Sequence, residues 1–366
     1  RAGLGAIGLV SPPPPLPYEE SVREFVTRHL GAEAFERLID PFVSGVYAGD
    51  PDKLAMRAAL KKVSRLEDLG GPGLIDGAIL RLQERARQEK ELPAPLQSED
   101  LPKYMGGSLG SFKQGLQMLP KAVEDAMGSK KVRVSWTLKG ISKALESGYI
   151  LSFDTPSGPK KIHTKVAVCT APAHRISGLE GLKDILPAVS RLEEVYYPPV
   201  ASVTLAYPTS AFRGGKPCGF GNLNPRKMKI RTLGTIWSSA LFPGRAPEGH
   251  EMLLSYIGGA QDTGIKDLST DEIVAEVDRD IRKVLLKDDA PPPKVLGVRL
   301  WQTAIPQYQR GHNAIIKELE EGMGAAPGLI LGGNYRTGVA FGDCVQFGYE
   351  EAERIAEMLQ SGALDG

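Results

Sequence analysis

The chain has 366 residues, with 45 Lys and Arg against 44 Asp and Glu, for a formal net charge of +1. A hydrophobic share of 42% beside a charged share of 24% is ordinary for a globular protein, and the length allows two or three domains and a sizeable core. So even a balance carries no footprint for nucleic acid or an anionic membrane, and no apolar run is long enough to span a bilayer.

The N-terminal stretch RAGLGAIGLVSPPPP sets Gly3, Gly5 and Gly8 in a formal G-x-G-x-x-G. A phosphate-cradling loop needs a buried strand before the first glycine and a helix after the last. Only Arg1 and Ala2 precede Gly3, and Pro12 to Pro15 come after Gly8, which favours an extended segment over a helix. The stretch therefore reads as a turn or helix end leading into a proline linker. No starting methionine, signal peptide or transit peptide is visible, and the chain reads as if it began in the middle of a longer one.

Residues 18–92 read as helical. In EESVREFVTRHLG, Val22, Phe25, Val26 and Leu30 share one face and Gly31 ends the helix. Phe35, Leu38, Ile39, Phe42 and Val43 form a second stripe, with Pro41 as a kink or boundary, and GPGLIDGAILRLQERARQEKE gives a third helix. All three faces read as core. Gly45 and Gly49 between them either allow close approach to a ligand or serve a plain turn.

Residues 93–104 are a polar, proline-marked linker. A short helix comes next, around Leu116, Met118 and Leu119. KVRVSWTL alternates as a strand with Val132, Val134 and Trp136 on one face. A hairpin turns at Pro156-Ser157-Gly158, and Val166 to Cys169 read as a buried strand. PVASVTLAYP, RTLGTIWSSALF and EMLLSYIGG are β-rich. The helix STDEIVAEVDRDIRKVLL has Ser269 or Thr270 as N-cap and Ile273, Val277, Ile281, Val284 and Leu285 as its apolar face. KVLGVRLWQTAIPQY is a strand running into a turn.

The C-terminal stretch reads as a short buried strand at Leu329 to Leu331, a Gly-Gly turn, and a long helix from about Gly338, apolar at Val345, Ile355 and Leu359. Strand, glycine turn and helix either aim a helix N-terminus at a ligand or form a plain, closely packed βα unit. Chemistry carried by side chains is sparse. Cys169, Cys218 and Cys344 are far apart, and fit unpaired thiols or a reducing compartment. His29, His163, His174, His250 and His312 form neither H-x-x-x-H nor H-E-x-x-H, so a zinc site is not expected.

Taken together, EESVREFVTRHLGAEAFERLIDPFVSGVYAGDPDKLAMRAA, YYPPVASVTLAYP, GFGNLNPR, TLGTIWSSALFPGRAPEG, YIGGAQDTGI, VDRDIRKVL, LGVRLWQTAIPQY and LGGNYRTGVAFGDCVQFGYE resemble the plastid-type protoporphyrinogen oxidases, within the flavin amine oxidases. The resemblance runs the whole length of the chain. It implies an α/β (α+β) fold with a partial FAD-binding Rossmann-like domain of amine-oxidase type, a mixed-sheet substrate domain and a helical membrane-docking domain. The implied division is 1–92 helical, 93–180 and 306–366 for FAD, and 181–305 for substrate.

By that resemblance FAD lies beside Gly333, Asn334, Val339, Ala340 and Phe341, with Val132 on its adenine side and Trp301 where the chain returns to the flavin. Leu223, Ile236 and Tyr256 line the apolar slot for protoporphyrinogen IX, and Gly45 faces a propionate edge. FAD then removes hydrogen and dioxygen reoxidises it, in heme and chlorophyll biosynthesis, with no protein nucleophile. A peripheral membrane surface in the chloroplast and a possible homodimer are further implications. Arg336, Thr337, Asp343 and Gln346 depart from the usual C-terminal block.

The resemblance also puts the family's phosphate loop, its ribose-binding acidic residue and its substrate-anchoring arginine upstream of Arg1. Residues 1–366 alone are thus expected to bind FAD weakly or not at all unless that part is supplied in trans. The alternative is a non-catalytic remnant that binds a tetrapyrrole or a partner, and a third reading is a related flavin oxidase with another substrate.

Overall fold

The computed structural model describes residues 12–71, 73–91, 109–128 and 130–364. Gly3, Gly5, Gly8 and the linker at 93–104 lie outside the described residues; Pro12 to Pro15 are not helical.

Helix α1 (Val22–Leu30) starts at Ser21, whose hydroxyl accepts from Glu24 N–H at 3.1 Å while Glu24 accepts from Ser21 N–H at 2.8 Å. This reciprocal cap satisfies two otherwise orphaned donors. Gly31, at φ +89°, ends the helix. A helical turn at Ala32–Ala34 and a π-helical turn at Phe35–Ile39 then lead into α2 (Asp40–Tyr47), with Pro41 tolerated in its first turn. The π turn corrects the expected stripe. It inserts an extra residue and rotates the downstream helix by about 100°. Phe35 and Val43 are buried, while Leu38 is 67% exposed and Phe42 also faces out.

Helices α3 (Lys61–Gly70) and α4 (Leu74–Glu91) pack at Gly77, where any Cβ would overlap the Leu66 carbonyl. Val22, Phe25, Val26, Phe35, Val43, Leu54 and Met56 form the core of this helical part. Arg28 bridges it electrostatically, donating to Glu20 at 2.6 Å and to Glu67 at 2.7 Å.

Helix α5 (Met118–Met127) leaves Leu116 outside it and buries none of its residues. The strand expected at Val132–Trp136 does not form. Ser135 takes a left-handed conformation at φ +61°, and pairing begins only with β1 (Thr137–Lys143). β1, β2 (Tyr149–Thr155) and β3 (Gly158–Thr164) make an antiparallel sheet with its turn at Pro156 and Ser157. β4 (Ala167–Cys169) runs parallel to the distant β10 (Leu329–Leu331), and both cover a core that includes Ile176, Leu182, Leu192, Leu319 and Tyr335.

Between them lies a five-stranded sheet in the order β6-β7-β8-β5-β9: β5 (Val200–Pro208), β6 (Gly221–Leu223), β7 (Thr232–Ile236), β8 (His250–Gly258) and β9 (Lys294–Trp301). Strand residues alternate between faces. Ala201, Val203, Leu205, Tyr207, Leu253 and Ile257 point to one face and pack against Ile273, Val277 and Ile281 of α6 (Thr270–Val284). Ser269, not Thr270, caps α6, through a reciprocal bond pair with Glu272. On the opposite face α2 lies against β6 and β7.

Helix α7 (His312–Gly324) precedes β10, and α8 (Phe341–Gln360) comes after it. The expected apolar face of α8 is not buried: Val345 and Leu359 are exposed, and Phe347 is its buried residue. Gly332 is the reason Phe347 fits, because a Cβ there would fall inside the phenyl ring. Among the described residues no helix is long and apolar enough to cross a membrane.

Candidate active site

The open sheet face is built from strand register. Leu223 pairs with Gly234, Gly234 with Tyr256, Tyr256 with Ser202, and Ser202 with Arg299, so these side chains form one row. The next row sets Gly221 opposite Ile236, Ile236 opposite Leu254 and Leu254 opposite Thr204. Leu223, Ile236 and Tyr256 are thus brought onto one surface, although 33 residues separate the first from the last. Ile236 and Tyr256 are half-buried and Leu223 is exposed. Burial raises the Tyr256 phenol above its ordinary range, so it stays a neutral, flat, largely apolar surface at neutral pH.

Glycines flank Leu223 on two sides. A Cβ at Gly45 of α2 would overlap Leu223 Cδ2, and one at Gly234 would lie 2.8 Å from the same atom. Gly45 therefore abuts the apolar lining itself. Beside it, Ser44 accepts from Arg226 at 3.3 Å, and Arg226 pairs with Asp40 at 3.5 Å.

The covered side fixes β7. Asp280 of α6 accepts from Arg231 N–H, Thr232 N–H and Thr232 Oγ1 at 3.0, 2.7 and 2.8 Å, and Thr235 shares a 2.8 Å hydrogen bond with Ser255. Asn224 donates to the Thr232 carbonyl at 2.7 Å. The open side is thereby presented on a rigid strand.

The second part is the turn after β10. Gly332 N–H donates to the Cys169 carbonyl at 3.0 Å, carrying the ladder one residue further. Gly333 sits at φ +116°, where a Cβ would lie 3.1 Å from the Thr170 carbonyl. Gly338 is at φ +144°, with the Asp343 carboxylate filling the space of a Cβ. Arg336 ties the turn down through the Leu331 carbonyl at 3.0 Å and through Glu320 and Glu351. Helix α8 has Ala340 at its N-cap and no side-chain cap; Asp343 N–H bonds the Ala340 carbonyl at 3.1 Å, which leaves the N–H groups of Phe341 and Gly342 as the donors a polar ligand edge could use. Phe341 is exposed beside them.

Sequence reasoning missed the residues that join these two parts. β9 ends at Trp301, and the chain then runs to Gln307 and Tyr308. Gln307 Nε2 donates to the Tyr47 carbonyl at 2.9 Å, just past Gly45. The Tyr308 hydroxyl donates to the Asn334 carbonyl, and its ring stacks on His312 at 4.2 Å. Val339 packs on the cluster of Ala55, Ala58 and Tyr308. Burial pushes His312 down to about 4, so its neutral ring donates Nε2–H to the Tyr335 carbonyl at 2.9 Å. The AIPQY sequence holds this joint, but nothing in its pattern marks a link to residues some 30 positions on.

Three buried polar atoms are without partners in the joining parts: Gln307 Oε1 beside Gly49, His174 Nδ1 on the ring that packs on Tyr197, and Tyr335 Oη in the turn itself. The open helix end and the two positive-φ glycines offer backbone donors that fit the polar edge of a planar ring system. Trp301 is 42% exposed at the β9 end of the open face. Val132 is placed differently from expectation, in the irregular segment before β1.

A profile described as "Flavin containing amine oxidoreductase" matches residues 6–356. "Protoporphyrinogen oxidase 1, chloroplastic" of Spinacia oleracea is 47% identical over 98% of this chain and 64% of its own length. "Protoporphyrinogen oxidase, chloroplastic" of Oryza sativa subsp. japonica is 48% identical over 98% of this chain and 67% of its own. "Coproporphyrinogen III oxidase" of Bacillus subtilis (strain 168) is 30% identical over 90% of this chain and 66% of its own. The chain thus spans about two thirds of the length of these relatives. Among solved structures, one from Exiguobacterium sp. 255-15 superposes with a TM-score of 0.70 over 97% of this chain and 70% of that one, at 21% identity. Cyclohexylamine oxidase from Brevibacterium oxydans IH-35A gives 0.59 over 93% and 68%, at 15% identity. These last two are likenesses of fold.

Proposed function

The chain belongs to the flavin-containing amine oxidoreductase family, a family of flavoenzymes, and from that premise we propose that it oxidises protoporphyrinogen IX to protoporphyrin IX with FAD and dioxygen. One observation carries the proposal. The segment 301–308 leads from the Trp301 end of β9, at the edge of the open sheet face, onto the glycine turn, so a flat ligand on the sheet and a flavin at the turn would be neighbours. The names of the relatives at 47% and 48% identity supply the substrate class.

The FAD is proposed to lie against Gly333, Asn334, Val339, Ala340 and Phe341, with Trp301 beside it and Val132 further along. When bound, FAD supplies hydride acceptance from the substrate and reoxidation by dioxygen to hydrogen peroxide. This chain's residues do the rest. The Gly333 conformation and the uncapped α8 end let backbone N–H groups approach the polar edge of the ring. Leu223, Ile236 and Tyr256 bind the macrocycle by apolar contact and exclude water from the reacting carbon. Gly45 and Gly234 keep Leu223 in the wall rather than in the slot.

We likewise propose the division into a helical part at 1–92, FAD segments at 93–180 and 306–366, and a substrate part at 181–305. Action at a plastid membrane surface, with Leu38, Phe42 and Val46 among the exposed apolar residues of the helical part, and a homodimer complete the proposal. The test is turnover. The flavin-loaded protein should convert protoporphyrinogen IX to fluorescent protoporphyrin IX and release hydrogen peroxide, and should work more slowly on coproporphyrinogen III. A flavin-loaded protein that oxidises neither, or that prefers an amine, would refute this reading.

A further inference from the structure

We propose that Asp343 of α8 sets the redox balance of the bound flavin: its unpaired carboxylate, held against the glycine turn, disfavours the electron-rich reduced form and lowers the midpoint potential. The inference rests on the flavin position in the proposed function and deepens it.

Placement comes first. Asp343 lies in the first turn of α8. Phe341 and Gly342, whose N–H groups are the donors open to a ligand edge, directly precede it. Gly338, at φ +144°, has no Cβ, and the Asp343 carboxylate fills that space. The carboxylate is therefore packed against the backbone of the turn, and Asp343 is half-buried.

Bonding comes second. Among the described residues no hydrogen bond or ion pair engages the Asp343 carboxylate. From Gly332 to Gln346 the only other formal charge is Arg336. That guanidinium is held by the Leu331 carbonyl, Glu320 and Glu351, and it lies over the Phe347 ring. The turn thus carries one uncompensated negative charge.

The reach of that charge comes third. Burial raises the Cys344 thiol and the Tyr47 phenol above their ordinary ranges, and Asp343 raises both further. At Tyr308 it adds to the same upward shift, after burial, Tyr197 and Cys344. These three groups belong to α8, α2 and the 301–308 segment, so the field of Asp343 spans the joint between sheet and turn. Everywhere it acts there, it makes negative charge harder to form. Two added electrons raise the negative charge density of a flavin ring, and charge near the ring nitrogens is a lever by which a protein tunes it. A half-buried carboxylate is also screened less than an exposed one. The helix end alone favours the reduced flavin. Asp343 offsets it and leaves the reduced flavin a readier donor to dioxygen. The alternative is a purely structural acid that complements the helix dipole and fills the space beside Gly338. A charge test separates the two, because Asn keeps the shape of Asp.

The midpoint potential of the flavin-loaded protein is measured by dye equilibration for wild type, Asp343→Asn, Asp343→Lys and Glu350→Gln, with thermal melts beside it. Glu350 is the control charge, exposed and about two turns further along the same helix. Asp343→Asn is expected to shift the ratio of reduced to oxidised flavin about ten-fold toward the reduced form, which for a two-electron couple is about +30 mV. Asp343→Lys should shift it further the same way, and Glu350→Gln should leave it in place. If Asp343→Asn keeps the wild-type potential, with or without a lower melting temperature, or if Glu350→Gln moves it as far, the assignment is overturned while the proposed function stands. A shifted potential in a protein that does not oxidise protoporphyrinogen IX keeps the assignment and removes the substrate reading. If the wild type holds no flavin, both fall together.

Discussion

At the scale of single residues, two glycines make opposite kinds of prediction. Gly45 touches only the flexible, exposed end of Leu223. Gly45→Ala should fold normally and push Leu223 into the slot, weakening protoporphyrin IX binding roughly ten-fold, or ~1.4 kcal/mol. Melting should shift little. A large loss of melting temperature with unchanged affinity would mean that Gly45 serves the helix and not the slot. Gly332 instead touches the buried Phe347 ring. Gly332→Ala must displace that ring in a packed environment, at a cost of about 1–3 kcal/mol. Denaturant unfolding would measure it, and a neutral result would contradict this packing.

Other residue-level features explain the chain's departures. Arg336 is held by the Leu331 carbonyl, Glu320 and Glu351, so it acts as a strut under the turn. Asp343 occupies the first turn of α8, where its charge suits the helix dipole, and it closes the space beside Gly338. Nothing in the structure explains the choice of Gln346 beyond its 2.7 Å bond to Glu350.

At the scale of elements, acid stability divides between two places. His312 is held neutral in the fold, down to about 4 from 6.5, by burial. The unfolded chain takes up a proton below pH 6.5 that the fold refuses, so this stability is present above that pH and lost as pH falls toward 4. Its size is on the order of 3 kcal/mol. In the helical part, burial works against the Glu67 carboxylate. Hydrogen bonds from His29 and Arg28 outweigh it and hold the group down to about 2 from 4.5. That contribution is present above pH 4.5 and lost between 4.5 and 2, and is on the order of 2 kcal/mol. Stability measured against pH should therefore fall in two stages. His312→Gln should flatten the upper stage and Glu67→Gln the lower one. A Glu67→Gln profile that still falls below pH 4.5 as steeply as wild type would contradict the ion cluster.

The elements also show what a sequence makes legible. β5 and β8 are readable because alternation in VASVTLAYP and EMLLSY reports a sheet with one buried face. The cap of α6 is local chemistry and legible to within one residue, as Ser269 or Thr270, while the Ser21 cap has the same Ser-x-x-Glu spacing and goes unread. The π turn at Phe35–Ile39 has no sequence signature, so a stripe through Leu38 and Phe42 falls on the wrong helical phase. Val132 and Val134 alternate like a strand, yet Ser135 breaks the backbone before they can pair. On α8, Val345 and Leu359 have helical spacing, but periodicity cannot say what covers a face.

At the scale of the whole molecule, the proposed site depends on contacts that no local pattern encodes. Register brings Leu223, Gly234 and Tyr256 into one row, and Tyr308 joins that face to Asn334. The resemblance names Leu223, Ile236, Tyr256 and the glycine turn as one site without giving the row order or the Gln307–Tyr308 joint. Those come from the sheet order β6-β7-β8-β5-β9, which no reading along the chain supplies.

The measurement that bears most directly on the central claim is the rate of protoporphyrin IX formation by flavin-loaded protein, compared with Ile236→Asp. Ile236 lies on the open face, so a charge there should leave the flavin spectrum unchanged and reduce turnover of protoporphyrinogen IX at least ten-fold, or ~1.4 kcal/mol. A wild-type protein that holds flavin but forms no protoporphyrin, or an Ile236→Asp variant that turns over like wild type, would show that the open sheet face is not where this substrate is oxidised.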